Sequence, residues 1–365
     1  MIDTQGHANV LPEEIRTTLN RQSAGWIVAF FIAIMAAALM GLVRVPYVVL
    51  KPGPVTNTLG NGPGGEPLIT VQGRGTYPTS GALDFTTVAV SGGPNHPVNI
   101  WQWVTGHLDQ TNRVLPEEEL FPKGVTPTQV DRQNAAEMAD SQQEAIAVAL
   151  RGLGETVPEV VTVKELAKDS PASGVLRAGD VLVSIDGKMV TTPDGVRGAV
   201  QAHKPGDLAV FTVRRDGKEQ VLRVKTADSQ GRTVVGVYLK AAFDFPIKVS
   251  INVGDVGGPS AGMMFSLAVY DKLTPGAMTG GATIAGTGTI DSAGKVGTIG
   301  GIQQKMAGAR TGGATWFLAP AGNCREVVGH VPDGLQVVKV STFSGARDAV
   351  EAIAAKQTSS LPKCS

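Results

Sequence analysis

Two residues in this chain have the types and surroundings for nucleophilic chemistry. In GGPSAGMMFSLAVYDKL, Ser260 stands at the end of a loop of small residues and at the start of an apolar run. A hydroxyl on such a turn projects outward, and free amides at the following helix N-terminus can stabilise an oxyanion. The same position suits a plain helix N-cap, which serine favours. A nucleophilic serine also needs a base. The five histidines, His7, His96, His107, His203 and His330, fall in no recognisable partner motif. A lysine buried enough to be neutral can take the hydroxyl proton instead. Downstream of Ser260 stand Lys272, Lys295, Lys305 and Lys339. Of these, Lys305 lies in TIGGIQQKMAGAR, where a glycine pair opens a helix with an apolar face of Ile302, Met306 and Ala309. Desolvation there would lower its pKa. Taken alone, a helical lysine is also well explained as a solvated surface charge.

The spacing of further residues gives the pair a context. GGPSAG is followed 45 residues after its serine by the lysine of GGIQQK, with TGTIDSAGKVGTIGG between them and GGATWFLAPAGNCREV after. This series resembles the proteolytic domain of the Lon family, which has a PSAG serine, a T-G-x-I strand and a G-G-[LI]-x-x-K lysine. The resemblance implies Ser260 as nucleophile, Lys305 as general base and Thr287 as the hydroxyl that orients the lysine. Backbone around Gly258, Pro259 and Ala261 is expected to bind the oxyanion. Gly257 and Thr289 stand where the family commonly has acidic residues, so the acidic surroundings differ.

The elements that must hold these residues are of mixed type. Glycine is in excess, 46 of 365 residues or about 13% against a usual ~7%. With 42% hydrophobic residues, this argues for a turn-rich β or α/β protein. The spans 68–71 and 83–90 read as strands, and 127–150 as a helix from its near-3.6 period. Residues 155–226 form a separate β-rich module: a strand at 160–163, a helix over 194–203 and a hairpin at Asp216-Gly217. With Ser170-Pro171-Ala172, Gly179-Asp180 and Ile185-Asp186-Gly187, this module resembles a bacterial PDZ domain. PDZ domains capture an extended peptide and its terminal carboxylate; Gly152, Leu153 and Gly154 are the expected carboxylate loop. AEMADSQQEAIAVAL resembles the family helix that precedes the serine loop, so the module is read as inserted within the protease domain.

The expected organisation is a cytoplasmic segment 1–23, a transmembrane helix 24–43, an N-terminal part of the protease region 50–150 and a PDZ domain 151–228. The Lon-like proteolytic domain follows over 235–355, with a tail 356–365. The overall class is an α/β (α+β) Lon-type domain with a β-rich PDZ domain behind one membrane helix. Residues 24–43 are uncharged and, as a helix, would span about 30 Å, the thickness of a bilayer core. Flanking basic residues tie; the small size of the head favours export of the catalytic portion.

Equal numbers of basic and acidic residues, 32 each, argue against a nucleic-acid partner. GTIDSAGKVG fails as a phosphate-binding loop because Val296 replaces the Ser/Thr, so no nucleotide is expected. No metal-ligand motif occurs, and no cofactor is expected. Cys324 and Cys364 can pair outside the cell, though nothing in their spacing requires it. The resemblance, to membrane-anchored PDZ–Lon-like proteins of the YlbL type, implies an ATP-independent serine endopeptidase. It would act on unfolded or flexible protein segments and assemble as a homo-oligomeric ring, a hexamer being one size considered. The rival reading is a membrane-anchored PDZ scaffold whose protease fold is vestigial.

Overall fold

The computed structural model describes residues 21–365 apart from Asn95. The expected cytoplasmic segment 1–23 lies almost wholly outside the described residues. Helix α1 is Arg21–Met40, with side chains described from residue 25 onward. No helix among the described residues is long and apolar enough to cross a membrane, so the expected span over 24–43 is not met within them.

Four strands and two helices follow: β1 (Tyr47–Asn57), β2 (Ile69–Gln72), β3 (Ala82–Gly92), α2 (Ile100–Leu108), β4 (Arg113–Pro116) and α3 (Pro127–Gly152). Pro127 stands in the first turn of α3, and Thr126 and Gln129 form a capping box that satisfies exposed amides at both positions. This is where the periodicity places a helix.

A β-rich module comes next: β5 (Glu159–Leu166), β6 (Val181–Ile185), β7 (Lys188–Met189), α4 (Pro193–Gln201), β8 (Leu208–Arg215) and β9 (Lys218–Lys225). It closes with β10 (Ala227–Ser229), β11 (Arg232–Val234) and β12 (Val237–Phe243). The β8–β9 turn carries Asp216 at φ 51° and Gly217 at φ 76°, the double positive φ of a tight hairpin. The sheet runs β12-β5-β6-β8-β9 over its own core, centred on Leu182, Phe211 and Val213.

The last third holds β13 (Lys248–Ile251), α5 (Gly262–Leu273), β14 (Thr283–Gly286), β15 (Thr289–Ile290) and β16 (Val296–Gly297). It ends with α6 (Ile302–Thr311), β17 (Trp316–Pro320), α7 (Cys324–Val327), β18 (Gln336–Val340) and α8 (Phe343–Ala354). Its strands join those of the first third in one sheet, β18-β17-β14-β3-β1-β4. β13 likewise pairs with β2. One core packs Leu83, Phe85, Ile146 and Leu150 from before the module against Phe265, Leu267, Ile284 and Val338 from after it. The opposite face of the sheet is covered by α6, through Ile302, Met306 and Ala309.

Candidate active site

Ser260 sits on the turn between β13 and α5. The N-cap of α5 is Ala261, which makes no side-chain capping bond, so Ser260 is not the helix cap. Its Oγ instead lies 2.7 Å from the Nζ of Lys305. Lys305 comes from the first turns of α6, whose N-cap, Gly301, is left-handed at φ 69°. A side chain there would be strained, and its Cβ would stand 2.8 Å from Val88. Thr287, just after β14, completes a triangle: its Oγ accepts from Lys305 Nζ at 3.0 Å and donates to the Ser260 carbonyl at 2.9 Å. Because the threonine proton is committed to that carbonyl, its lone pair faces the lysine.

Lys305 is only 3% exposed and Thr287 is fully buried. Burial alone brings the lysine from its ordinary value down to about 8. An amine with that pKa holds its neutral form in roughly a tenth of molecules at pH 7, against a few in ten thousand at the ordinary lysine value. Its lone pair can then accept the serine proton while an N–H donates to Thr287.

The triangle opens on a cavity of about 410 Å³, walled by Phe85, Val88, Met138 and Val256. Asp255 lines the cavity as well, so an acidic group reaches it from two positions before Gly257. Of the expected oxyanion residues, Pro259 has no N–H, and the Gly258 N–H is already donated to the Asn134 carbonyl at 2.9 Å. Ala261 remains, together with Ser260 itself; among the described residues neither N–H has a backbone partner.

Helix α3 supports this turn in a way sequence reading missed. Besides the Asn134 contact, Ser141 donates to the Pro259 carbonyl at 2.9 Å. Gly262 has to lack a side chain there, since a Cβ would stand 2.6 Å from Ser141 Oγ. On the other side, Asn323 accepts from Ile299 N and donates to Ile299 O, clamping the loop that leads into α6. The next residue, Cys324, is bonded to Cys364.

Gly152, Leu153 and Gly154 lie at the end of α3 and do not line the groove of the β-rich module. Gly152 ends α3 against Phe343 and Tyr270, and Leu153 packs on the main core. The groove of the β-rich module lies between α4 and the edge strand β12, lined by Val196, Val200, Val235, Val237 and Leu239. At its end, Val234-Val235-Gly236-Val237 turns into β12 with Gly236 at φ 70°.

These features agree with what the chain is similar to. Residues 124–226 match the PDZ domain, and residues 240–352 match the Lon protease (S16) C-terminal proteolytic domain. A Lon protease of Mycoplasma genitalium is 29% identical over 219 residues, covering 54% of this chain and 26% of the relative. That of Mycoplasma pneumoniae is 30% identical over 212 residues, covering 53% and 25%. The chain thus spans about a quarter of the length of these curated relatives. Among solved structures, the PDZ domain of an SdrC-like protein from Listeria monocytogenes is 27% identical, with a TM-score of 0.21, covering 22% of this chain and 85% of that one. The chain thus carries one stretch similar to a PDZ domain and, after it, one similar to a Lon-type C-terminal proteolytic domain.

Proposed function

We propose that the protein is a serine endopeptidase working through a Ser260–Lys305 dyad, without ATP, on unfolded or flexible protein segments. The observation that carries this reading is the buried lysine amine 2.7 Å from the serine hydroxyl. Neutral Lys305 accepts the Ser260 proton as Oγ attacks the peptide carbonyl. The N–H groups of Ser260 and Ala261 hold the oxyanion of the tetrahedral intermediate. Lys305 then passes its proton to the leaving amine as the C–N bond breaks, leaving the acyl chain on Ser260. Water, deprotonated by Lys305, hydrolyses that ester and restores the serine. Thr287 keeps the amine pointed at Ser260 throughout.

The groove between α4 and β12 supports capture of an extended substrate. β12 is an edge strand, so a peptide can add to it, with its terminal carboxylate on the amides of the Val235–Gly236 turn. Membrane attachment through the α1 region belongs to the same reading, with the catalytic part outside the cytoplasm. Trp26, Phe30, Phe31 and Met35 are exposed on α1, an apolar surface that a bilayer would cover. A ring of identical subunits is the assembly expected by likeness to Lon-type domains.

The test is cleavage of unfolded casein by the full chain, by Ser260→Ala and by Lys305→Ala. Loss of cleavage in both variants supports the dyad. Equal cleavage by all three overturns it, and no cleavage by a folded, assembled wild type favours the scaffold reading.

A further inference from the structure

We propose that Ser141, on α3 and 118 residues away from the turn it touches, is a positioning residue that sets the oxyanion-binding amide of Ser260. The inference rests on the serine-protease reading above and assigns a role to a hydroxyl that this reading does not use.

A trans peptide points its C=O and N–H in opposite directions, and the described chain has no cis bond. Fixing the Pro259 carbonyl therefore fixes the Ser260 N–H. Ser141 Oγ donates to that carbonyl at 2.9 Å. The other donor to it, the N–H of Gly262, is at 3.4 Å, at the outer limit of a hydrogen bond. The next carbonyl, that of Ser260, is held by two donors, Gly288 N at 2.8 Å and Thr287 Oγ at 2.9 Å. The peptide after Ser260 is thus pinned from the β14 side, and the peptide before it depends on Ser141.

The contact is built rather than incidental. Ser141 is 2% exposed, and an alanine in its place would leave a buried carbonyl short of its main donor. α3 and α5 approach closely enough at this point that Gly262 can carry no Cβ. Ser141 donates to the Pro259 carbonyl and not to the lysine side of the dyad, which is held by Thr287 and α6. Its removal should leave proton transfer to Lys305 intact and let the Pro259–Ser260 peptide rotate away from the oxyanion position.

The test uses the full chain in detergent or nanodiscs, with fluorescein-labelled unfolded casein as substrate and a fluorophosphonate to count competent sites. Ser141→Ala is expected to lower kcat per titrated site about tenfold to a hundredfold, a part of what a lost oxyanion donor costs. KM should stay within about twofold, and the midpoint of the acid limb of the pH profile should not move. A peptidyl boronate, whose tetrahedral adduct needs the same amide, should lose affinity by a similar factor. Ser141→Cys, which keeps a weak donor in place, should fall between the two, and it carries the test if Ser141→Ala does not fold. Unchanged kcat per titrated site, with only a lower Tm, would reduce Ser141 to a packing role and overturn the proposal. A shifted acid limb would overturn it too, by placing the effect on Lys305. A wild type without Ser260-dependent cleavage would remove the protease reading and this inference together.

Discussion

At the scale of single residues, Lys305 makes opposite demands on catalysis and stability. Its burial holds the amine near about 8, so the reactive neutral form increases as pH rises through that value. The profile of kcat/KM against pH should show an acid limb with an apparent pKa of about 8, falling tenfold per unit below it; a flat profile from pH 6 to 9 would exclude lysine as the base. Stability follows from the same shift. Below pH 8 both folded and unfolded chains hold the proton, and the buried charge costs up to about 3 kcal/mol. Between pH 8 and about 10.5 only the unfolded chain holds it, so stability rises with pH across that window. Lys305→Met, which fills similar volume without charge, should abolish cleavage yet raise Tm at pH 7, with the gain shrinking as pH approaches 10.5. Thermal scans at pH 7 and 10 check both signs.

The elements that carry these residues were unevenly legible in the sequence. Ser260, Thr287 and Lys305 stand in local motifs with fixed register, and the structure brings all three side chains together. Helix α3 was legible from its period, beginning at Pro127. What it does for the turn was not, because Ser141 and Pro259 meet only across the tertiary fold. The groove between α4 and β12 was not legible for a similar reason. Its edge strand β12 comes from the far end of the module, some 80 residues beyond Gly152–Gly154, and sequence order suggested a loop before β5. Strand β3 holds a further residue that only packing explains. Asp84 alternates with the core residues Leu83 and Phe85 and pairs in register with Ala285, on the face covered by α6. Burial raises its carboxyl to about 6, opposite in sign to the effect on Lys305. From about pH 4 to 6 the folded chain keeps a proton that the unfolded chain has lost, so stability falls as pH rises through that window. Asp84→Asn should raise stability at pH 7 by up to about 3 kcal/mol and change little at pH 4. Urea unfolding at the two pH values reads the difference, and an equal effect at both would mean that Asp84 does not titrate there.

For the molecule as a whole, the sheet and its core decide what can be separated from what. The central strand order β14-β3-β1 places strands from before and after the β-rich module side by side. Residues 230–365 alone contain the dyad but would expose Ile284, Leu318 and the inner face of α5, which pack on Phe85, Ile146 and Leu150 in the intact chain. That fragment should be insoluble or inactive, whereas a soluble, active one would show that the flanking strands are dispensable. The module has its own core and should fold alone over residues 155–245. At the other end, the tail returns to the body at two points: the Lys339 N–H donates to the Pro362 carbonyl at 2.8 Å, and Cys364 is bonded to Cys324. That bond closes a loop of about 40 residues spanning β18 and α8, and in the chain-entropy account such a loop contributes roughly 2–4 kcal/mol. Cys364→Ser should lower the free energy of unfolding by that amount. Because Cys324 adjoins Asn323, which clamps the Ile299 loop at the start of α6, the loss should reach the dyad as well. Reduction with dithiothreitol should lower both Tm and cleavage in the wild type and leave Cys364→Ser unchanged. Equal Tm for oxidised and reduced wild type would show that the bond holds nothing the fold does not already hold.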